Sequence, residues 1–355
     1  MIGAPAALCL AMLVLLASRS LGSFDREEKL IGWRGEVPND GILEPEGTWM
    51  ETIAWRPRAF IIHNLISAEE ARHIVNEAWP QMQRSTVVGD NGSSVLDDYR
   101  TSYGTFLNRY QTDIVKRMED RVAFFTHLPV SHQEDVQVLR YGIGQYYQRH
   151  QDSLDNDSPR MATVLVYLSD PEEGGETSFP ELSEWAHPEM AHKYGSKFSE
   201  CAKGHVAFRP KMGDALLFWS YSADGRTDDI ASTHEGCPVL RGAKWTTTIW
   251  IHTLPFRPEE YDARTNRFRQ PAPFKDPGLC FDSGGPACAG WAKSGECEKN
   301  EHFMKGNGLD LGNCMKSCGV CEPCDKGDTP CIMNNRKKIG FLAFDPSELD
   351  YRRLE

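Results

Sequence analysis

The chain has 355 residues, 40% of them hydrophobic and 25% charged, the make-up of an ordinary globular protein and longer than one compact core needs. Its net charge of −12, from 39 basic and 51 acidic residues, sets aside nucleic acid and anionic membrane as partners, since both require a basic surface. A neutral or basic polypeptide remains compatible.

Residues 1–22 carry an apolar stretch from Ala4 to Ala17. It is too short to span a bilayer comfortably and suits a signal peptide, with Ser20, Leu21 and Gly22 around the cleavage point. A short signal anchor is the alternative, because no Lys or Arg precedes the stretch, and only that alternative would tie the chain to a membrane. Residues 23–58 read as an irregular lead-in. The main domain is expected over 59–256, opening with the strand-like AFIIHNLI from Ala59. Ser67 then caps a helix with Glu69 and Glu70 in its first turn and Ala71, Ile74, Val75 and Ala78 on one face. A second helix begins at Thr112–Asp113, with Ile114, Met118 and Val122 on its buried side. Between them VVGDNGSSVLDDYRTS reads as an exposed loop, and Asn91 opens an N-glycosylation sequon within it.

From Val136 the pattern changes to short runs of Val, Thr, Tyr, Phe and Trp: VQVLRY, MATVLVYLS, HVAFRP, DALLFWSY and KWTTTIWIH. Helices beside many short antiparallel strands predict an α+β, mainly β fold, a double-stranded β-helix or jelly-roll barrel with supporting helices. The proline-rich, charged segment 257–278 reads as a linker. Most of the 11 cysteines fall within 280–331, a disulfide framework if the chain is secreted. A polar tail over 322–355 holds Cys324 and Cys331, whose pairing the sequence leaves open. Cys201 and Cys237, in the barrel, are expected to join in an oxidising compartment.

Within the barrel, QYYQRHQDSLD contains His150 and Asp152, and ASTHEGCP contains His234. Two imidazoles and one carboxylate can cap one face of an octahedral metal and leave three adjacent positions open, as in non-haem Fe(II) oxygenases. His150 and Asp152 share a face if the stretch is extended, and His234 is expected from a late strand facing them across the barrel. Lys244 follows in RGAKW. A lysine entering an apolar strand is costly unless an anion meets it, and a dicarboxylate would serve; taken alone it reads rather as a strand-edge lysine in water.

The stretches RTSYGTFL, EDVQVLRYGIGQYYQRHQD, MATVLVYLSDPEEGGETSFP, PKMGDALLFWS and STHEGCPVLRGAKWTTTIWIH resemble, in order, spacing and residue type, the 2-oxoglutarate-dependent prolyl 4-hydroxylases of plant and algal type, from about Ala59 to His252. The resemblance implies His150, Asp152 and His234 as iron ligands and Lys244 as partner of the distal carboxylate of 2-oxoglutarate, with Tyr141 and Thr177 beside it. It implies Arg100, Ser102, Glu134, Tyr147, Arg160, Trp250 and His252 along a peptide groove. Related lysyl hydroxylases carry arginine where Lys244 stands, so the lysine favours proline as target. The implied cofactors and cosubstrates are Fe(II), 2-oxoglutarate, O2 and ascorbate. The implied reaction is hydroxylation at C4 of peptidyl proline, coupled to oxidative decarboxylation of 2-oxoglutarate to succinate and CO2. The implied partner is a proline-rich polypeptide, extensin-like or collagen-like. An oxygenase acting on another peptide residue and a non-catalytic secreted peptide-binding protein are the alternatives.

Residues 279–321 resemble a ShK-toxin-like (ShKT) domain, which implies the pairs Cys280–Cys321, Cys288–Cys314 and Cys297–Cys318; the spacing alone admits many connectivities. The Lys-Tyr pair of channel-blocking peptides is broken here, because Gly306 follows Lys305, so an accessory binding role is preferred to a toxin. The signal segment and cysteines together predict the lumen of the endoplasmic reticulum or Golgi.

Overall fold

The computed structural model describes residues 32–33, 47–88, 94–95, 99–154, 157–272, 274–307, 310–325 and 327–343. The signal segment 1–22, the Asn91 sequon and the end of the tail lie outside them. In chain order the strands of the two main sheets are β1 (Gly32–Trp33), β2 (Trp49–Arg56), β3 (Arg58–His63), β4 (Gln83–Arg84), β5 (Tyr103–Leu107), β6 (Val136–Tyr141), β7 (Tyr147–His150), β8 (Arg160–Tyr167), β9 (Thr177–Phe179), β10 (Glu184–Trp185), β11 (Val206–Phe208), β12 (Ala215–Trp219), β13 (His234–Gly236) and β14 (Lys244–His252). The major sheet is ordered β1-β2-β3-β12-β8-β14-β6-β5-β4, with β10 also on β2; the minor sheet is β11-β9-β13-β7. Tyr167, Leu216 and Phe218 of the major sheet pack with Phe179, Val206 and Phe208 of the minor one in a single core. Two antiparallel sheets closed on a shared core make the double-stranded β-helix the strand pattern predicts.

Period-two alternation decides what each strand offers to either side. On β14, Trp245, Ile249 and Ile251 join the core beneath the helices, while Lys244, Thr246, Thr248 and Trp250 line the cleft between the sheets. On β8, Val164 and Val166 face the helices and Thr163 and Leu165 the cleft. Helix α1 (Ala68–Ala78) begins at Ser67, whose hydroxyl accepts from the Glu70 amide while the Glu70 carboxylate accepts from the Ser67 amide, a reciprocal cap. Helix α2 (Asp113–Thr126) begins at Thr112 and buries Val115, Met118, Val122 and Phe125; Ile114 lies only at the margin of that face.

Four expectations on boundaries and exposure need correction. The lead-in 23–58 contains β2, with Ile53 and Ala54 fully buried, so the domain is already formed ten residues before Ala59. The loop 87–102 ends in buried Arg100 and Ser102. The segment 257–278 is no free linker. Residues Tyr261–Asp262 and Arg267–Phe268 form a hairpin, and the buried Phe268 ring lies 4.0 Å from the guanidinium of the buried Arg109. The tail is not merely polar: α7 (Thr329–Lys338) buries Asn335 and Arg336, and Phe341 and Leu342 follow it into the interior. Short helices α4 (Ala287–Lys293), α5 (Glu296–Lys299) and α6 (Glu301–Lys305) build the cysteine-rich module, and a helix of eight residues, α3 (Pro188–Gly195), lies between β10 and β11. Bonds Cys280–Cys321, Cys288–Cys314 and Cys297–Cys318 hold the module, Cys201–Cys237 lies in the barrel, and Cys324–Cys331 closes the start of the tail.

At the end of β3, His63 sits between two carboxylates, with Nδ1 2.8 Å from Asp214 and Nε2 3.2 Å from Glu51. Lys193 and Tyr194 of α3 also engage Glu51, and Lys211 approaches Asp214. Burial opposes the imidazolium charge, yet the hydrogen bonds and attraction of Asp214 and Glu51 raise its pKa. A raised folded pKa stabilises the fold fully below the ordinary value of about 6.5, and that contribution is lost as pH rises through the folded value. Melting temperature is therefore expected to fall as pH rises above about 6.5, and His63→Gln to flatten that profile in a calorimetric pH series.

Candidate active site

The register between β13 and β7 sets His234 directly opposite His150. His234 is thus a neighbour in the same sheet, not a residue facing from across the barrel: two strands distant in sequence pair side by side, and both rings point to one face. Asp152 lies two residues past the end of β7, outside any regular strand. The ligand atoms of the three residues lie within 4.8 Å of one another. Asp152 is 3.6 Å from His150 Nε2 and 3.7 Å from His234 Nε2.

Hydrogen bonds fix the orientation of each group. His150 Nδ1–H donates to the Gln148 carbonyl at 2.7 Å and His234 Nδ1–H to the Ser232 carbonyl at 3.0 Å. Both rings therefore carry their proton on Nδ1 and turn a bare Nε2 toward Asp152, the tautomer a metal needs. Burial, then the neighbouring His234, pushes the His150 pKa down to about 3. Burial works against the charge of Asp152, yet the attraction of His234 and His150 and a hydrogen bond from Thr163 hold it below the usual carboxylate range. Thr163 Oγ1 donates to Asp152 Oδ2 at 2.6 Å.

The same cleft holds Lys244, Tyr141 and Thr177. Lys244 is 3% exposed. Its ammonium meets the Thr177 hydroxyl at 3.4 Å and the rings of Tyr141 and Tyr167 at 5.6 and 5.8 Å, and no carboxylate among the described residues reaches ion-pair distance. Burial brings its pKa down to about 7, with Glu176 as the opposing influence. Thr246 Oγ1 and Trp250 Nε1 are buried without a hydrogen-bond partner among the described residues. A cation without its anion and polar atoms without partners mark a place built for a polar ligand.

Arg100, Tyr147 and Trp250 also line the cleft. The Arg100 guanidinium lies 4.6 Å from the Tyr147 ring, which stacks on His150 at 3.7 Å. Glu134, Arg160 and His252 are brought together beside Trp250 instead. Glu134 accepts two bonds from Arg160, at 2.5 and 3.1 Å, and lies 2.8 Å from His252 Nε2. Arg160 stacks over Trp250 at 3.7 Å. Ser102 is not at the cleft; it is fully buried and donates to Ser85 at 2.8 Å. Sequence reasoning missed Thr163, Thr246, Thr248 and Gln137, although counting in twos from Lys244 along β14 finds two of them.

The 2OG-Fe(II) oxygenase superfamily model matches residues 136–252. A probable prolyl 4-hydroxylase 3 of Arabidopsis thaliana is 44% identical over 226 residues, covering 62% of this chain and 77% of that protein. This chain belongs to the prolyl 4-hydroxylase family. Prolyl 4-hydroxylase 2 of the same plant is 37% identical over 279 residues, covering 77% of this chain and 88% of its own. A viral collagen prolyl hydroxylase from Paramecium bursaria Chlorella virus-1, solved with 2-oxoglutarate, is 26% identical at a TM-score of 0.41 and covers 55% of this chain and 96% of its own; at that score it adds nothing to the assignment.

The residues of this prolyl 4-hydroxylase fit the family's Fe(II): two bare imidazole nitrogens and one carboxylate converge, a donor set suited to a divalent iron. They fit 2-oxoglutarate through the uncompensated Lys244 cation in the same cleft. Thr163→Val is expected to weaken Co(II) binding about tenfold, and Thr163→Ser to preserve it, in calorimetric titration of the metal-free protein.

Proposed function

We propose that the chain hydroxylates C4 of peptidyl proline and couples this to oxidative decarboxylation of 2-oxoglutarate to succinate and CO2. The observation that carries the reading is one cleft holding both His150, Asp152 and His234 and a buried Lys244 that pairs with no carboxylate among the described residues. Iron held by the first three would supply activation of O2 and removal of hydrogen from the proline ring. The protein's own part is binding and orientation. Lys244, with Thr177 and Tyr141 beside it, takes the far carboxylate of 2-oxoglutarate. Leu139, Leu165 and Phe218 line the cleft and keep water from the reacting atoms.

Peptide recognition falls to Arg100, Tyr147 and Trp250, with Glu134, Arg160 and His252 holding the wall behind Trp250. A polyproline II segment has no internal hydrogen bonds, so its carbonyls accept from a guanidinium such as Arg100 while aromatic faces pack on proline rings. Tyr147 and Trp250 line the cleft and supply the aromatic surface. Proline-rich secreted polypeptides, extensin-like or collagen-like, suit this wall, and ascorbate is the proposed reductant. Five disulfide bonds among the described residues favour an oxidising compartment, so the proposed location is the lumen of the endoplasmic reticulum or Golgi, with Asn91 as a glycan acceptor.

Purified protein supplied with Fe(II), 2-oxoglutarate and a polyproline peptide is expected to form succinate and add one oxygen atom to proline, located at C4 by fragment-ion and amino-acid analysis. Succinate without oxygen on proline would overturn the reading. Affinity for 2-oxoglutarate also has an expected pH dependence. Free Lys244 loses its proton near pH 7, and above that value the dianion must bring a proton with it. The dissociation constant is then expected to rise up to about tenfold per pH unit, measured anaerobically with Mn(II) in place of iron. Lys244→Met is expected to bind weakly with a flat profile.

A further inference from the structure

The tail after the cysteine-rich module enters the catalytic domain. Arg336 is fully buried and its three nitrogens are spent on three different segments. Nε donates to the Leu342 carbonyl at 2.6 Å, one terminal nitrogen to Asp276 at 2.7 Å, and the other to the Trp79 carbonyl at 3.0 Å. Leu342 lies in the core beneath the helices. Its amide donates to the Met82 carbonyl at 2.9 Å, and Phe341 pairs antiparallel with Gln83. The tail therefore extends the major sheet beyond β4, covering an edge that would otherwise lie open.

Beyond β4 the contacts continue without a gap to the cleft. Gln83 and Arg84 pair with Gly104 and Tyr103. A side chain at Gly104 would meet Leu139 at 2.8 Å and Ser85 Oγ at 3.0 Å, so glycine is what lets β4 and its continuation pack this closely. Arg84 donates to the Thr101 carbonyl, the Ser85 amide to the Ser102 carbonyl at 2.9 Å, and the Ser102 hydroxyl to Ser85 Oγ. Thr101 in turn bonds Tyr146 through its amide at 3.2 Å, and its hydroxyl accepts from the Tyr146 amide at 2.9 Å. Arg100 is bridged to Tyr147. Four successive residues, Met82 to Ser85, thus join the tail to the segment that carries Arg100 against Tyr147.

We propose that the docked C-terminal segment braces the peptide-binding wall, and that Arg336 and Leu342 are positioning residues for Arg100 and Tyr147. This gives the cysteine-rich module a task within its own chain: its Cys280, Met315 and Cys321 pack with Ile339 and Phe341 and hold the tail against β4. Burial of Ser102 follows from the same arrangement, since its hydroxyl is part of the brace and not of the groove. The inference rests on the proposed roles of Arg100 and Tyr147 in peptide binding.

The test uses Arg336→Met and, as a second variant, Leu342→Ser, each in the full chain. The Michaelis constant for a proline-rich peptide is expected to rise about fivefold, while kcat and the Michaelis constant for 2-oxoglutarate stay within about twofold of the parent. Hydrogen exchange is expected to quicken at residues 82–85 and 99–102, a readout that stands whether or not the protein proves to be a hydroxylase. Quickened exchange at 329–342 with unchanged exchange at 99–102 would overturn the brace. So would a parallel fall in kcat and rise in both Michaelis constants, which marks general destabilisation. Failure of both variants to give soluble protein would also count against it, because the whole domain and not the wall would then depend on the tail.

Discussion

The pairing of β13 with β7 is the constraint on which the site depends. Side chains alternate along a strand, so a slip of one residue would turn His234 away from His150 and dissolve the cluster. The register is held from several sides. β13 also pairs with β9, the amide of Cys237 donates to the Glu176 carbonyl, and the Cys201–Cys237 bond ties the exit of the strand to the loop before β11. Asp152, free of regular structure, is brought to the pair by the Thr163 hydroxyl. Two strands and one hydrogen bond from a third thus set three donor atoms.

The cleft then holds two electrostatic demands of opposite sign. At Asp152 a carboxylate is kept ionised in a buried place, and a divalent cation answers it. At Lys244 a cation is buried with a hydroxyl and two aromatic rings for company, and a dianion answers it. Neither demand is met by the protein alone, and leaving polar and charged groups so placed costs stability. Such a cost is retained where binding repays it, which is why these groups mark function and the internally paired Glu134–Arg160–His252 cluster marks a rigid wall.

Much of this was legible in the residues. The caps at Ser67 and Thr112, the strands from Val136 and the His150–Asp152–His234 set come from local patterns and residue chemistry. Long-range pairing was not legible: nothing around His234 says which strand it will lie beside, so its place next to His150 needed the fold. β2 was missed because WMETIAWR is buried at its centre on both sides and shows no clean alternation. Composition misled at 257–278 and in the tail, where proline and charge suggested free chain. There the decisive residues are arginines, Arg109 and Arg336, which become interior by finding carbonyls and carboxylates that only folding supplies. Ser102 failed for a related reason: a hydroxyl reads the same in a sequence whether it meets a substrate or another serine.

Anomalous diffraction at the iron edge, from crystals of the full chain grown anaerobically with Fe(II) and 2-oxoglutarate, tests the site most directly. One iron peak is expected within bonding distance of His150 Nε2, an Asp152 oxygen and His234 Nε2, with density for the far carboxylate of the cosubstrate against Lys244. An iron peak elsewhere in the molecule, or a cosubstrate carboxylate turned away from Lys244, would contradict it.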